Sequence, residues 1–394
     1  FPIVFVGNSV NIGLSAGTMS AISRAIGRKD RVMSQNLGAS AFLLSLCVIS
    51  LLYVVGGAFA PNVLTLMGAT PEIKPLSLGY LKYALPGLIV MGMAMMANNI
   101  LRASGEAMLP SAIMISTAVF NIIIDPLLIF GLGPFPRMEV EGAALATLIA
   151  NILGMAFGFF VVFYMRKAAS FTSLNVQRLI SYWRAILHVG FPAIWTNVIV
   201  PFSGLAATAI VARTLGTTEV AAFTVVSRIG MLALTLLYAL SACIGAITGQ
   251  NGGAGLTERV RATFVFCFKI CVAWGLLVGA VLGIFAHTIP WVFTQDAEVV
   301  RLALPYFYIV PFTFAFYGFV FVSAAGFNAL GRPRYGLIFT IIRSVILFVP
   351  FIWIGVTLFG MTGVFLGIAS ANIVSGLVAI AYTLKRAPMT VHEK

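Results

Sequence analysis

Of the eleven acidic residues in the sequence, Asp125 alone lies well inside an apolar stretch. Asn121 precedes it by four residues, so on a helix the two side chains share one face, one turn apart. An ionised carboxylate in such surroundings costs about 2.5–3.5 kcal/mol or more, and acids there usually mark an ion or substrate pathway or partner a cation. We predict an ion-linked role for Asp125. A structural, hydrogen-bonded Asp and a helix-packing amide at Asn121 are the alternatives.

The next apolar stretch should bring further polar groups to Asp125. If residues 110–131 and 142–165 form an antiparallel helical hairpin with its turn near Arg137, Asp125 is level with residue 149. Thr147 and Asn151 flank that level and share a face at i, i+4. We therefore predict that both belong to the site of Asp125 and Asn121.

Other polar residues lie elsewhere in apolar stretches. A polar stripe at helical spacing near the start of the chain predicts a wall of a hydrated cavity, with close packing against a neighbouring helix as the alternative. Met91, in a methionine-rich stretch, predicts either an adaptable binding wall or ordinary core filling. For Arg228 and Arg343 the sequence predicts either a place in a cavity wall or a role in a structural polar cluster. The stripe consists of Asn8, Asn11, Ser15 and Thr18.

The composition excludes a soluble protein. Hydrophobic residues make up 60% of the chain and charged residues only 9%, against about 25% charged residues in soluble domains. The apolar runs are long enough for helices that span a bilayer, which need about 20 residues. The four cysteines all lie in apolar runs without accompanying His or carboxylates. We therefore predict an all-α integral membrane protein with no metal site and no cofactor, and no nucleic-acid partner despite the net charge of +13.

Eleven apolar segments can be marked along the chain. We label them A (2–26), B (37–63), C (77–101), D (110–131), E (142–165), F (188–212), G (220–249), H (262–292), I (302–326), J (335–358) and K (361–384). Most of the Lys and Arg residues that lie outside the segments are in the stretches that come after segments A, C, E, G, I and K. By the positive-inside rule those loops and the C-terminus are cytoplasmic.

The segments form a repeat in which A to E correspond to G to K. Gly142 and Asn151 in E have the same spacing as Gly363 and Asn372 in K, and Asp125-Pro126 in D corresponds to Val349-Pro350 in J, one residue later. Both halves have the same orientation, so the repeat is parallel, about an axis along the membrane normal. Segment F has no partner, and an even repeat predicts a twelfth helix before A.

Four sequence motifs together resemble the multidrug and toxic compound extrusion (MATE) transporters, nearer their DinF-like branch than the NorM-like one. The resemblance covers nearly the whole chain, from family helix two to helix twelve. The motifs are 17–27 (GTMSAISRAIG), 102–105 (RASG), 121–126 (NIIIDP) and 142–147 (GAALAT).

The resemblance implies two six-helix bundles and antiport of organic cations, many of them drugs, against protons or sodium. It also implies an ion-linked polar cluster in the first bundle. The family's Asn-x-x-x-Asp pair maps to Asn121 and Asp125, its helix-six Thr to Thr147, and an Asn late in helix four to Asn98. The family's helix-one Asp has no position in this chain. By helix geometry Asn98 falls level with residue 114, about 10 Å from Asn121.

From these observations we predict a secondary exporter of organic cations, working by alternating access and driven by an inward proton or sodium gradient. The expected organisation is an N-terminal bundle (1–165), a cytoplasmic linker (166–187) and a C-terminal bundle (188–394). The expected location is the plasma (inner) membrane, as a multi-pass monomer in the lipid bilayer. The expected partners are drug-like cations and the coupling ion.

Two other functions compete with this prediction. A lipid-linked oligosaccharide flippase of the same superfamily would need a cationic cavity for pyrophosphate, whereas the Asp125 cluster is acidic and neutral. A membrane-embedded enzyme would show paired acids, His clusters or metal-ligand motifs, and the sequence contains none. We predict that the chain is not an enzyme.

Overall fold

The computed structural model describes residues 2–66, 70, 72–171 and 175–387, and these residues contain helices and turns but no β-strand. They divide into two compact units, unit 1 (Phe1–Ile194) and unit 2 (Trp195–Lys394). Each unit has its own apolar core, with Phe42 and Met96 fully buried in the first and Phe307 and Phe365 in the second.

Unit 1 contains five helices and the first half of a sixth. They are α1 (Pro2–Gly27), α2 (Arg31–Leu66), α3 (Ile73–Ala103), α4 (Met108–Phe130), α5 (Glu139–Phe159) and α6 (Val176–Thr214). A π-helical turn, Phe160–Met165, extends α5. Helix α6 is continuous from the predicted linker through segment F, and the division between the two units falls within it.

Two glycines bring α4 and α5 into close contact. A Cβ at Gly142 would lie 2.6 Å from the Leu128 carbonyl oxygen, and one at Gly154 would clash with the Thr117 hydroxyl. Since neither glycine carries a Cβ, the two helix backbones pack closely along their whole overlap. This contact positions the face of α4 that carries Asn121.

Unit 2 begins with the second half of α6 and continues with shorter helices. They are α7 (Thr217–Ala233), α8 (Thr235–Gly253), α9 (Thr257–Ile284), α10 (Ala297–Ile309), α11 (Phe314–Ala329), α12 (Pro333–Ile341) and α13 (Val349–Arg386). Segment G is the pair α7 and α8, bent by 40°. Segments J and K both lie in Pro333–Arg386, and non-helical backbone angles at Phe359 and Gly360 separate them.

All eleven predicted segments are therefore helical. Among the described residues, eight helices are long and apolar enough to cross a membrane, or nine if the bent α7–α8 pair is one span. Segment A corresponds to α1, which is not among those eight.

A π-helical segment explains why J is one residue longer than D. Residues Ile342–Phe348 are π-helical, between α12 and α13, and they precede Val349-Pro350. A π-bulge accommodates an extra residue within a helix and is frequent at functional sites. The corresponding stretch of α4 is α-helical.

Candidate functional site

A cleft of about 360 Å³ lies within unit 1 between α3, α4 and α5, within the size range of small-molecule sites. Half of its lining residues are methionine, alanine or isoleucine, and the other half are polar. The polar lining residues are Asn98, Asn99, Arg102, Thr117, Asn121, Thr147 and Asn151. Met91, predicted as part of a binding wall, also lines it.

Asn121 connects Asp125 to α5. Its side-chain Nδ2 lies 3.3 Å from Asp125 Oδ1 and 3.4 Å from Thr147 Oγ1, and donates to both. The Thr147 hydroxyl donates in turn to the Ala143 carbonyl at 2.9 Å, so its oxygen is available as an acceptor. The structure thus brings three of the predicted site residues into one hydrogen-bonded group.

Asn151 lies one turn beyond Thr147 on α5. Its Nδ2 donates to the Thr147 carbonyl at 2.9 Å, and its side chain lines the cleft. The amide oxygen carries no hydrogen bond to the described residues that the structure records, so it can accept from a ligand or water.

The predicted register between α4 and α5 was wrong by about one helical turn. Asn121, rather than Asp125, is level with Thr147. Helix α4 ends at Phe130 and α5 begins at Glu139, so the turn is centred before Arg137. Asp125 consequently lies further toward the turn, and Asn121 is the residue that joins it to the cleft.

The residues that line this cleft do not include the first polar residues of α1. Asn11 and Ser15 are buried, and Asn11 Nδ2 donates to the Leu88 carbonyl on α3 at 3.0 Å. Asn8 Oδ1 and Ser15 Oγ are buried without a recorded hydrogen-bond partner. Asn11 therefore packs against α3, and whether the stripe also forms the wall of a hydrated cavity stays a prediction.

Arg228 lies on α7 in unit 2, where its side chain is exposed. The cleft of unit 1 is therefore built without it. Whether Arg228 lines another cavity stays a prediction.

Three polar cleft residues, Asn99, Arg102 and Thr117, were not identified from the sequence. Asn99 lies beside Asn98, and Arg102 lies four residues after Asn98 on the same face of α3. The sequence places Arg102 directly after segment C, in a loop predicted to be cytoplasmic. Its position four residues after Asn98 could have indicated a shared helix face. Asn98 itself is 8% exposed, and its Oδ1 is buried without a recorded partner.

Unit 2 contains a different polar cluster at the corresponding place in its repeat. Asn372 corresponds to Asn151, and its Oδ1 accepts from Arg343 Nε at 3.2 Å and Nη2 at 3.0 Å. Asn372 Nδ2 donates to Thr313 at 3.0 Å. The guanidinium carbon of Arg343 lies 3.5 Å from the centre of the Tyr317 ring, a cation–π contact. Within the described part of unit 2, no carboxylate pairs with Arg343.

Comparison with known proteins identifies the fold. A family model described as MatE matches residues 1–127 and 192–354. The chain belongs to the MATE family. MATE proteins are membrane transporters, and this chain is therefore a multi-pass membrane protein and not an enzyme.

Individual relatives cover most of the chain. The FAD transporter of Shewanella oneidensis is 29% identical over 377 residues, which are 96% of this chain and 83% of that protein. The multidrug export protein MepA of Staphylococcus haemolyticus is 26% identical over 378 residues, 95% of this chain and 81% of MepA. The crystal structure of the Vibrio cholerae MATE transporter VcmN in the bent form matches with a TM-score of 0.93 and 26% identity, covering 100% of this chain and 88% of VcmN.

The match to MATE structures confirms the predicted all-helical fold with two related bundles. Placement in the DinF-like branch and the additional first helix stay predictions. The roles of Asp125, Asn121 and Thr147 also stay predictions.

Because the acids of unit 2 lie outside its apolar segments and Val349 corresponds to Asp125, we predict that ion dependence does not require Val349. Val349→Ile should leave the ion dependence of transport unchanged in proteoliposomes. Tyr317→Phe should do the same, because phenylalanine keeps the ring that contacts Arg343. Loss of coupling in either variant, at normal expression, would refute the prediction.

Proposed function

We propose that this MATE transporter exports organic, drug-like cations in exchange for protons or sodium ions moving inward. The observation that carries the proposal is the group formed by Asp125, Asn121 and Thr147 at the edge of an apolar cleft. The relatedness to the multidrug export protein MepA supports the substrate class.

Asp125 would couple ion and substrate through its charge. Among the described residues, no Lys or Arg forms an ion pair with Asp125, so its negative charge is available to a mobile cation. Burial disfavours the ionised carboxylate, and an approaching cation favours it. A proton or sodium ion and a cationic substrate therefore compete for one negative charge, and this competition produces exchange without direct contact between them.

Pro126 gives α4 a place to bend beside this carboxylate. It lies inside the helix and lacks the amide hydrogen that would otherwise bond to the Ile122 carbonyl. We propose that bending here changes the access of water to Asp125. Asn121 and Thr147 would hydrogen-bond to whichever state of the carboxylate is present.

The proposed organisation follows the charge distribution and the repeat. The N-terminal bundle (1–165) holds the ion-linked group, the linker (166–187) and the C-terminus are cytoplasmic, and the C-terminal bundle (188–394) completes the transporter. We propose a monomer in the plasma (inner) membrane, with alternating access between the two bundles.

A second candidate substrate class is suggested by Arg102. This cation lines the same cleft, and a relative 29% identical to this chain is named an FAD transporter. Nucleotide-like anions would use Arg102, whereas purely cationic substrates would use Asp125.

Ion-gradient experiments in proteoliposomes test the proposed function. A fluorescent cation should move against its own gradient when a proton or sodium gradient is imposed in the opposite direction, because both compete for Asp125. An ionophore that dissipates the gradient should stop this movement, and protein-free vesicles serve as the control. If neither gradient drives the cation, the proposed antiport is wrong.

A further inference from the structure

Arg102 is a cation in the cleft without a carboxylate partner among the described residues. It lies in the last turn of α3, partly buried, and its Nη2 contacts the Met114 sulfur at 3.0 Å. A thioether is a weak acceptor. Glu106, close along the chain, is paired instead with Arg166 at 2.7 Å. The guanidinium therefore keeps most of its donors available to a ligand.

The neighbouring amides form a polar end of the cleft with Arg102. Asn98 lies one turn earlier on the same face. Only 8% of its surface is exposed, and its Oδ1 has no recorded hydrogen-bond partner. Asn99 Nδ2 donates to the Met95 carbonyl at 2.9 Å, which directs its amide into the cleft wall. Buried polar atoms are nearly always hydrogen-bonded in proteins, so the Asn98 Oδ1 is an acceptor available to a ligand in the cleft.

The two ends of the cleft differ in charge. Met114, in contact with Arg102, and Asn121, bonded to Asp125, are seven residues apart on α4, which corresponds to about 10 Å at 1.5 Å per residue. The walls also include the apolar side chains of Met91 and Met95. One end thus presents a guanidinium and amides, and the other leads to a carboxylate.

We propose that Arg102 is a specificity-determining residue that binds an anionic group of the substrate. The ligand class is an organic molecule with a carboxylate or phosphate at the Arg102 end and a cationic group directed toward Asp125. Guanidinium groups bind carboxylates and phosphates through two parallel hydrogen bonds, and flexible methionines adapt to apolar surfaces of varied shape. The inference rests on the proposed function, in that the cleft is the substrate site.

The competing role for Arg102 is structural. A cation in the last turn of a helix interacts favourably with the helix dipole, and a long side chain can extend from apolar surroundings to the membrane surface. In that role Arg102 would not distinguish ligands by their charge. A matched pair of ligands separates the two roles.

The test uses two rhodamine dyes with the same ring system, one with a free carboxyl group and one with that group as its methyl ester. Binding to the purified full chain in detergent is measured by fluorescence anisotropy at a pH that ionises the carboxyl group. The wild-type protein should bind the free-carboxyl dye more tightly than the ester. Arg102→Gln should weaken binding of the free-carboxyl dye by about tenfold or more and leave the ester nearly unchanged. Arg102→Lys should fall in between, because it keeps the charge but not the planar fork.

Arg386→Gln is the matched control. It removes an exposed arginine from the last turn of another helix, α13, and should change neither affinity. Thermal unfolding of each variant in detergent confirms that it is folded.

Equal weakening of both dyes by Arg102→Gln, or no change in either, would overturn the role of Arg102 while the proposed function stands. Failure of the wild-type protein to bind either dye would overturn both the inference and the cleft as a substrate site.

Discussion

Asp125→Asn should abolish ion-coupled export while leaving the protein folded. The amide is isosteric with the carboxyl group, and its oxygen can still accept from Asn121, which lies 3.3 Å away in the wild-type protein. The substitution removes the one negative charge for which ion and substrate compete in the proposed mechanism. Uphill movement of a fluorescent cation, measured in proteoliposomes under an imposed ion gradient, should fall to the level of vesicles without a gradient.

Glu298→Gln is a suitable control for this variant, because it also neutralises one acid. Glu298 forms an exposed pair with Arg301 at 3.8 Å, and such pairs contribute at most about 1 kcal/mol to stability. Ion-coupled export by the Glu298→Gln variant should remain as in the wild type. Uphill export by Asp125→Asn at the wild-type rate would mean that Asp125 is structural.

Asn372→Ala should destabilise the protein strongly. Asn372 Oδ1 accepts two hydrogen bonds from the Arg343 guanidinium, which is 6% exposed. Removing the acceptor of a buried donor typically costs about 1–3 kcal/mol, and more when the donor is charged, because the donor is left unsatisfied. The Tyr317 ring still contacts the guanidinium and offsets part of that cost. Thermal unfolding in detergent should show a clearly lowered midpoint for Asn372→Ala.

A double variant tests the physical reason. Arg343→Met together with Asn372→Leu removes the charged donor and its acceptor at once, and replacing both partners of a buried hydrogen bond by apolar residues can be nearly neutral or stabilising. The double variant should therefore unfold at a higher temperature than Asn372→Ala. Asn251→Ala removes a helix asparagine whose side chain, among the described residues, donates a recorded hydrogen bond to the Ile247 carbonyl, and it should have a small effect. If the double variant is no more stable than Asn372→Ala, the unsatisfied donors of the Arg343 guanidinium are not the cause.

Much of the fold could be predicted from hydrophobicity alone. Every predicted segment is helical, because a stretch of about 20 apolar residues in a membrane must satisfy its backbone hydrogen bonds internally. The breaks within segments were harder to predict. The bend between Ala233 and Thr235 and the π-helical residues 342–348 lie inside segments G and J, whose hydrophobicity marks no break in the helix.

The candidate site was predicted in part. Asp125 and Asn121 stand out because a carboxylate and an amide within an apolar run are costly, and Thr147 follows from the hairpin. The register between α4 and α5 could not be predicted, because it depends on where the turn begins and on the close contacts at Gly142 and Gly154.

The sequence by itself determined the membrane class, the helical segments, their repeat and the isolated carboxylate of Asp125. The tertiary structure decided which helix faces meet: Asn11 packs against α3, Arg102 faces the cleft with Asn98, and Asn372 binds Arg343. The reason lies in the solvent. Lipid is as apolar as a protein interior, so hydrophobicity shows which residues avoid water but does not distinguish a face that packs on protein from one that contacts lipid. That distinction depends on close packing between helices, which is a property of the folded chain.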